Sequence, residues 1–414
     1  MDPDNSDCLV LRAARVIDAV ADHAEEGLEL LIRGGRVEEL RPVGEPPPDA
    51  EVITLPDATL LPGLIDAHVH YTIDGNLPDG IAAGARHSPA QAALIGARNA
   101  LSALVSGVTT ARSAGASRGL DIALAAAIAA GDVPGPRLLP AGPAITITGG
   151  HGQQFGIEVD DPTEMVRAVR RLVRDGAEVI KAVASEAAML TGPRAGIAEL
   201  TQEEIHHVVE EAGRLARRVL VHAQDSASVT AAARAGATSV EHAFLADGDA
   251  LLALRDSGAY LTPTLSVTDV YAHRDDLSAE VEERQRELSR LHRRSSERAV
   301  ELGIPLIAGT DCGVPAVMPD MLPREVRLLH NHGLSPIEAI RSATSTAAQA
   351  LGLAGEVGRL EPGFVADVLV VRGDPLADLR ALEAPLLVVQ GGAVTVRDGC
   401  LVGPATRPLP TNRP

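Results

Sequence analysis

Two of the thirteen histidines in this 414-residue chain, His68 and His70, stand one residue apart at the end of the apolar run "PGLIDAHVH". Read as a strand, that run sends alternate side chains to opposite faces, so both imidazoles point the same way. Two neutral imidazoles on a shared face make half a metal site. A second His-x-His pair, His330 and His332, falls in "EVRLLHNHGLS", a helical pattern ending at Gly333. Helical residues two apart point in nearly opposite directions, which argues against that pair as ligands.

Four further polar residues close apolar runs: Lys181 in "VIKAV", His222 in "RVLVHA", His242 in "TSVEHAF" and Asp311 in "IPLIAGTD". Imidazoles and a carboxylate are ligands that zinc, manganese or iron accept, whereas an ammonium has no lone pair to donate. A buried lysine with a lowered pKa can, however, add carbon dioxide and become an anionic, bidentate carbamate. Such a group could bridge two metals ~3.5 to 4 Å apart. Each residue alone has a plainer reading: rim histidines at His222 and His242, a turn cap at Asp311, a lysine snorkelling to solvent at Lys181. All of them would then have to reach one rim by accident.

Short apolar runs alternating with helical patterns must position these groups. "TLLPGLIDAHVH", "GVTTARSAG", "RLLPAGPAITITGG", "AEVIKAVAS", "RVLVHA", "TSVEHAF", "AYLTPTL" and "IPLIAGTD" make eight candidate strands. Helices between them carry start signals, such as Asp161-Pro162 and the Thr201/Glu204 capping box. Eight apolar strands with intervening helices spell an α/β fold, a (β/α)8 barrel, whose active site lies where the strands end.

Both flanks differ in character. Short strands broken by Gly and Pro, including the tight-turn candidates "IRGGRV" and "VQGGAV", indicate one small β-sandwich domain built from residues 1–57 and 357–414, with the barrel over 58–356. The tail "GPATRPLPTNRP" reads as extended.

A formal charge of −19 argues against nucleic acid or an anionic membrane as partner. Cys8, Cys312 and Cys400 are odd in number and far apart, suggesting no disulfide framework. The start, "MDPDNSDCLVL", is acidic where a signal peptide would be basic, and no apolar stretch reaches spanning length. A cytoplasmic protein is expected.

Together, "PGLIDAHVH", the Lys181 run "VIKAV", "VHAQ", "SVEHAF", "AGTDCG" and the closing "GRLEPGFVADVLVV" resemble the amidohydrolase superfamily across essentially the whole chain. "ITITGGHG" at 145–152 is similar to the branch of metal-dependent dipeptidases and carboxypeptidases of the Xaa-Pro and Xaa-Arg/Lys kind and related N-acyl amino acid amidases. The resemblance implies that His68, His70 and Asp311 hold a buried divalent ion, His222 and His242 an outer one, and carbamylated Lys181 bridges them. Zinc is the expected metal, and a homo-oligomer is the family expectation.

From those groups an amide hydrolysis follows. A water bridging both metals becomes hydroxide and attacks the carbonyl; Asp311 takes the proton and returns it to the leaving amine. His151, in the Gly-rich loop after strand three, would stabilise the oxyanion. Of only six aromatics, Tyr71, Phe155 and Phe244 cluster around the proposed site by sequence. They would line a partly apolar pocket for a small-molecule amide substrate. Gln224 stands where related dipeptidases often have tyrosine, and "ASEAAMLTG" follows Lys181 where a Gly-Gly pair is common; both positions face the substrate side.

Weaker candidates are His206 and His207 on an amphipathic helix, Cys312 beside Asp311, and Arg86 and His87 in the loop after strand one. Two other functions stay open. One is a deaminase or cyclic amide or amidine hydrolase on the same barrel, which would lack the bridging lysine. The other is a non-catalytic scaffold, which would be expected to lose ligands that this chain keeps.

Overall fold

The computed structural model describes residues 8–77, 86–189, 196–274 and 278–403. The proline-rich tail from residue 404 lies outside that range. Strands are numbered β1 to β18 in chain order.

One sheet joins the two ends of the chain. From the N-terminal side come β1 (Cys8–Val16), β2 (Glu25–Glu26), β3 (Leu28–Arg33), β4 (Arg36–Pro42) and β5 (Ala50–Pro62); from the C-terminal side, β15 (Val368–Arg372), β16 (Pro385–Gln390), β17 (Ala393–Arg397) and β18 (Cys400–Leu401). Their order is β18-β17-β16-β15-β5-β1-β3-β4, with β2 on β1. The sequence suggests a sandwich of two sheets, but β5 pairs with β1 on one side and β15 on the other, so the two halves share one hydrogen-bonded surface.

Two Gly-Gly turns, one from each half of that surface, meet at their tips. Gly34 and Gly35, and Gly391 and Gly392, all have positive φ, as two-residue hairpin turns of the primed type require. The tips then meet so closely that a Cβ on Gly392 would lie 2.6 Å from the Gly35 Cα. Beneath them Leu11, Leu30, Ile32, Leu60, Val368 and Val389 form a core separate from the rest of the molecule.

Between these flanks, parallel strands alternate with helices. A three-stranded sheet holds β6 (Leu64–Val69), β7 (Val108–Ser113) and β8 (Arg137–Leu139). A six-stranded sheet runs β10-β9-β11-β12-β13-β14, with β9 Ala144–Thr146, β10 Gly156–Glu158, β11 Val179–Val183, β12 Arg218–Asp225, β13 Ser239–Leu245 and β14 Tyr260–Thr262. The run "RLLPAGPAITITGG" is thus two strands, β8 and β9. Pro140 and Pro143 separate them, since proline cannot donate to a ladder.

Hydrogen bonds link the two sheets at both edges. On one side the Glu178 amide donates to the Pro140 carbonyl. On the other, the segment 304–311 lies between β14 and β6: Ile307 N donates to Leu261 O, and Ala67 N donates to Ala308 O. That segment, expected as a regular strand, makes only isolated bridges. Asp66 accounts for part of the departure, because its carboxylate takes the Thr310 amide at 3.0 Å and the Thr310 hydroxyl at 2.7 Å.

Helix starts follow the sequence signals. Asp161 caps Pro162–Asp175 through the amides of Thr163 and Glu164, and the Thr201/Glu204 box opens Gln202–Arg214. No helix of the described residues is long and apolar enough to cross a membrane.

Gly309 tests how tightly the 304–311 segment is seated. A Cβ there would lie 2.6 Å from Thr262 Cγ2 and 2.8 Å from His68 Cβ. Gly309→Ala is expected to cost about 1–3 kcal/mol through overpacking, read as a lowered denaturation midpoint. Gly355→Ala, where a Cβ meets nothing within 4 Å, should leave that midpoint nearly unchanged.

Candidate metal centre

His68, His70 and Asp311 converge, with one ligand atom from each lying within 4.8 Å of the others. His68 Nε2 and His70 Nε2 both stand 3.4 Å from Asp311 Oδ1. His242 joins them, its ring centroid 5.0 Å from that of His68 and its Nδ1 4.0 Å from Asp311 Oδ2. His222 lies 4.5 Å from His242, and His151 lies 4.8 Å from His222, between ring centroids. Lys181 is buried on β11, and its charge interacts with Asp311 and Glu241.

Strained backbone brings these groups in. His242, Ala243, Thr264 and Asp311 all have positive φ, between 52° and 77°, a region that costs non-glycine residues on the order of 1–2 kcal/mol each. Within β13 the positive φ at His242 breaks strict alternation. Glu241 and His242, which a flat strand would send to opposite faces, therefore both reach His68.

A layer of partners that the sequence reading missed holds the histidines. His68 Nδ1 is 2.6 Å from Glu241 Oε2, His70 Nδ1 is 2.9 Å from the Gly115 carbonyl, and His242 Nδ1 is 2.8 Å from Thr264 Oγ1. A carbonyl can only accept, so His70 carries its proton on Nδ1 and keeps the Nε2 lone pair for the centre. Glu241 is braced by Arg112, which also donates to Ala67 O and Ser239 Oγ. The signal was present: Asp66, Arg112 and Glu241 are charged residues inside otherwise apolar strand runs.

Burial dominates the electrostatics. It pushes the His70 imidazole down to about 4, against the pull of Asp311. His222 and His242 are held well below the ordinary imidazole range by burial, reinforced by His151 and His222 respectively. These rings are neutral at pH 7, the form that binds metal. Burial disfavours the charged form of Asp311, yet His68, His70 and Lys181 outweigh it and keep the carboxyl below its usual value. Lys181 is brought down to about 8 by burial, opposed by Glu241 and Asp311.

Among the buried atoms without a hydrogen-bond partner in the described residues, two belong to this cluster, Lys181 Nζ and His222 Nε2. Leaving such groups unpaired is costly. A cation accepting the imidazole, and a carbamate on the lysine, would satisfy both. The donor set therefore fits a centre of divalent ions.

The other expected residues spread out. Phe155 packs on His70 at 5.3 Å between ring centroids. Phe244 is fully buried and packs behind His242, against His292, another residue that sequence reasoning missed. Tyr71 departs from the pocket-lining role: the alternation that aligns His68 with His70 sends their neighbour into the main apolar core. Gln224 accepts the Ala188 amide and so pins the loop after β11. His206 and His207 sit on the helix Gln202–Arg214. His330 and His332 bond to Leu334 O and Ser296 Oγ, away from the cluster. Cys312 is buried, and burial pushes its thiol well up; among the described residues Cys8, Cys312 and Cys400 form no disulfide. Arg86 and His87 follow 78–85, which lie outside the described residues.

The amidohydrolase family model matches residues 59–394. The chain belongs to this family. It is 29% identical over 360 residues to an ochratoxinase of Aspergillus niger, covering 80% of this chain and 73% of that one. The fold of this amidohydrolase superposes on a Xaa-Pro dipeptidase with bound methionine at a TM-score of 0.85, with 27% identity over 94% of this chain and 99% of that one. A prolidase complexed with N-methylphosphonate-L-proline gives 0.83, with 28% identity over 94% and 100%. The amidohydrolase is accordingly a hydrolase acting on amide or peptide bonds.

Lys181 supplies a pH test. Its folded form loses a proton near pH 8, whereas the unfolded chain keeps it to about the ordinary 10.5. Between these values the unfolded state binds more protons, so stability rises with pH. In metal-free, CO2-free buffer the protein should gain on the order of 3 kcal/mol between pH 8 and 10.5 relative to Lys181→Met, measured by denaturant unfolding. Parallel pH profiles would refute a buried, uncompensated ammonium.

Proposed function

We propose that this amidohydrolase is a binuclear metal hydrolase, most naturally a zinc enzyme, that cleaves a peptide-like or N-acyl amino acid amide. Residues 58–356 would close into a (β/α)8 barrel through the bonds that join its two parallel sheets, with residues 1–57 and 357–414 forming the accessory β domain. The observation that carries the reading is the unpaired, buried Lys181 Nζ beside the buried imidazoles of His68, His70, His222 and His242 and the carboxylate of Asp311.

In this reading His68, His70 and Asp311 would hold one ion, His222 and His242 the other, and Lys181, as its carbamate, would serve both. When bound, the ions would supply Lewis acidity, lowering the pKa of water and polarising the amide carbonyl. The chain's own groups do the rest. Asp311, kept ionised by its neighbours, accepts the proton of the attacking water and hands it to the leaving amine. His151 has its Nδ1 3.1 Å from Glu186 Oε1 and its backbone amide bonded to Glu199. That pairing turns the opposite ring nitrogen toward the carbonyl oxygen, where it stabilises developing charge. Glu241 and Gly115 fix the tautomers of His68 and His70. A single-metal deaminase would leave Lys181 without a task.

Metal content is the direct test. Protein prepared with zinc and bicarbonate should hold about two metals per chain, falling in Lys181→Ala together with amide hydrolysis. One metal or none, unaffected by the substitution, would overturn the binuclear reading. For His151, Glu186→Gln should lower kcat by roughly tenfold to a hundredfold and shift its pH profile, with little change in KM. An unchanged kcat would remove Glu186 and His151 from the chemistry.

A further inference from the structure

Thr264 stands at the N-cap of the helix Leu265–Ala272, where a threonine hydroxyl ordinarily accepts an amide of the first turn. Thr201, Ser88 and Ser335 do this at their own helices, each with extended backbone. Thr264 does not. Its φ of 54° and ψ of 49° place it in the left-handed region, and its side chain makes no capping bond. For a β-branched residue that conformation is an outlier, of the kind that concentrates at functional sites. The hydroxyl is directed instead at His242, 2.8 Å from Nδ1.

Glu325 takes over the cap. It is fully buried on the helix Leu322–Asn331, sixty residues along the chain from Leu265. Its Oε1 accepts the Leu265 amide at 2.8 Å, and its Oε2 accepts the Ser266 amide and the Ser266 hydroxyl, each at 2.7 Å. The Ser266 amide is one that a self-capping Thr264 would engage. Glu325 therefore blocks the ordinary cap and leaves the Thr264 hydroxyl for the imidazole. A buried carboxylate is a costly way to close one helix when a threonine already occupies the capping position.

We propose that Glu325 is a positioning residue for His242: by capping the helix in place of Thr264, it commits the Thr264 hydroxyl to the His242 ring and fixes the ring's orientation. The inference rests on the metal-hydrolase reading, in which His242 would be a ligand, and deepens it by a residue that acts through another. A ligating imidazole is oriented by the bond its second nitrogen makes. Without the carboxylate, strain at Thr264 favours a return to the extended, self-capping form, which withdraws the hydroxyl from His242.

Nitrogen NMR of the histidine rings tests this directly. Zinc-loaded protein carrying isotopically labelled histidine is compared with its variants, and His242 is assigned by its loss in His242→Asn. Glu325→Gln keeps the side chain's shape but removes one accepting oxygen. It should move the His242 ring resonances in the same direction as Thr264→Val, while those of His70, held by the Gly115 carbonyl, stay in place. Thr264→Ser should keep the parent positions. Added to Thr264→Val, Glu325→Gln should have no further effect on His242. Zinc affinity, measured by chelator competition, should fall roughly tenfold to a hundredfold in each single variant and no further in the double. Should Glu325→Gln fail to fold, Glu325→Asp, whose shorter carboxylate withdraws from the amides, is read in the same way. His242 resonances unmoved by the Glu325 substitution, or effects that add in the double variant, would overturn the positioning role, whatever happens to the denaturation midpoint. Moved resonances in a protein that binds no zinc, or binds it with unchanged affinity, would remove His242 from the ligands and leave its positioning by Glu325 standing.

Discussion

A carboxylate buried beyond the reach of water, Glu241, sets the terms for the whole centre. Burial alone would drive it to the neutral form, but Arg112 and His68 hold its carboxyl far below the usual range. Arg112 in turn is 1% exposed and ties β6, β7 and β13 together through Ala67, Ser239 and Glu241. Breaking one member of a buried pair strands the other, at about 3–5 kcal/mol. The chain thus commits substantial stability to a network whose outermost contact is the orientation of one imidazole, His68.

Backbone geometry follows from the same demand. Six polar groups must leave five apolar runs and meet, and ideal strands, whose side chains alternate, cannot deliver adjacent residues to one point. Positive φ at His242, Ala243, Thr264 and Asp311 is how the ends of β13, β14 and the 304–311 segment turn inward. Such conformations persist only where the surroundings over-determine them. Here Asp66 pins Thr310, Glu325 accepts the amides of Leu265 and Ser266 just after Thr264, and Gly309 lets the segment approach His68. Rigid support and local strain are two sides of one arrangement.

The accessory sheet solves a different problem. β5 runs from the sheet directly toward β6, so the strand that carries His68 leaves a surface already fixed by β1 and β15. Arg137 reinforces that joint by pairing with Asp367 at 3.0 Å, linking β8 to the approach to β15. Both flanking segments are therefore part of what holds β6 and β8 in place.

The sequence by itself determined which residues could be ligands and which elements carry them. A histidine or aspartate closing an apolar run is visible because burial selects apolar neighbours, and strand alternation alone aligned His68 with His70. Helix starts at Asp161 and Thr201 were equally legible, since caps act within one turn. Tertiary structure decided everything that depends on distant partners. Nothing local says that Glu241 lies against His68, that Gln224 holds Ala188, or that Tyr71 packs into the core while Phe155 packs on His70. Nor could pattern alone show that "RLLPAGPAITITGG" splits in two, or that the termini weld into one sheet through β5. Those outcomes are set by burial energies and hydrogen bonds between residues far apart in the chain, which come into being only when the strands are side by side.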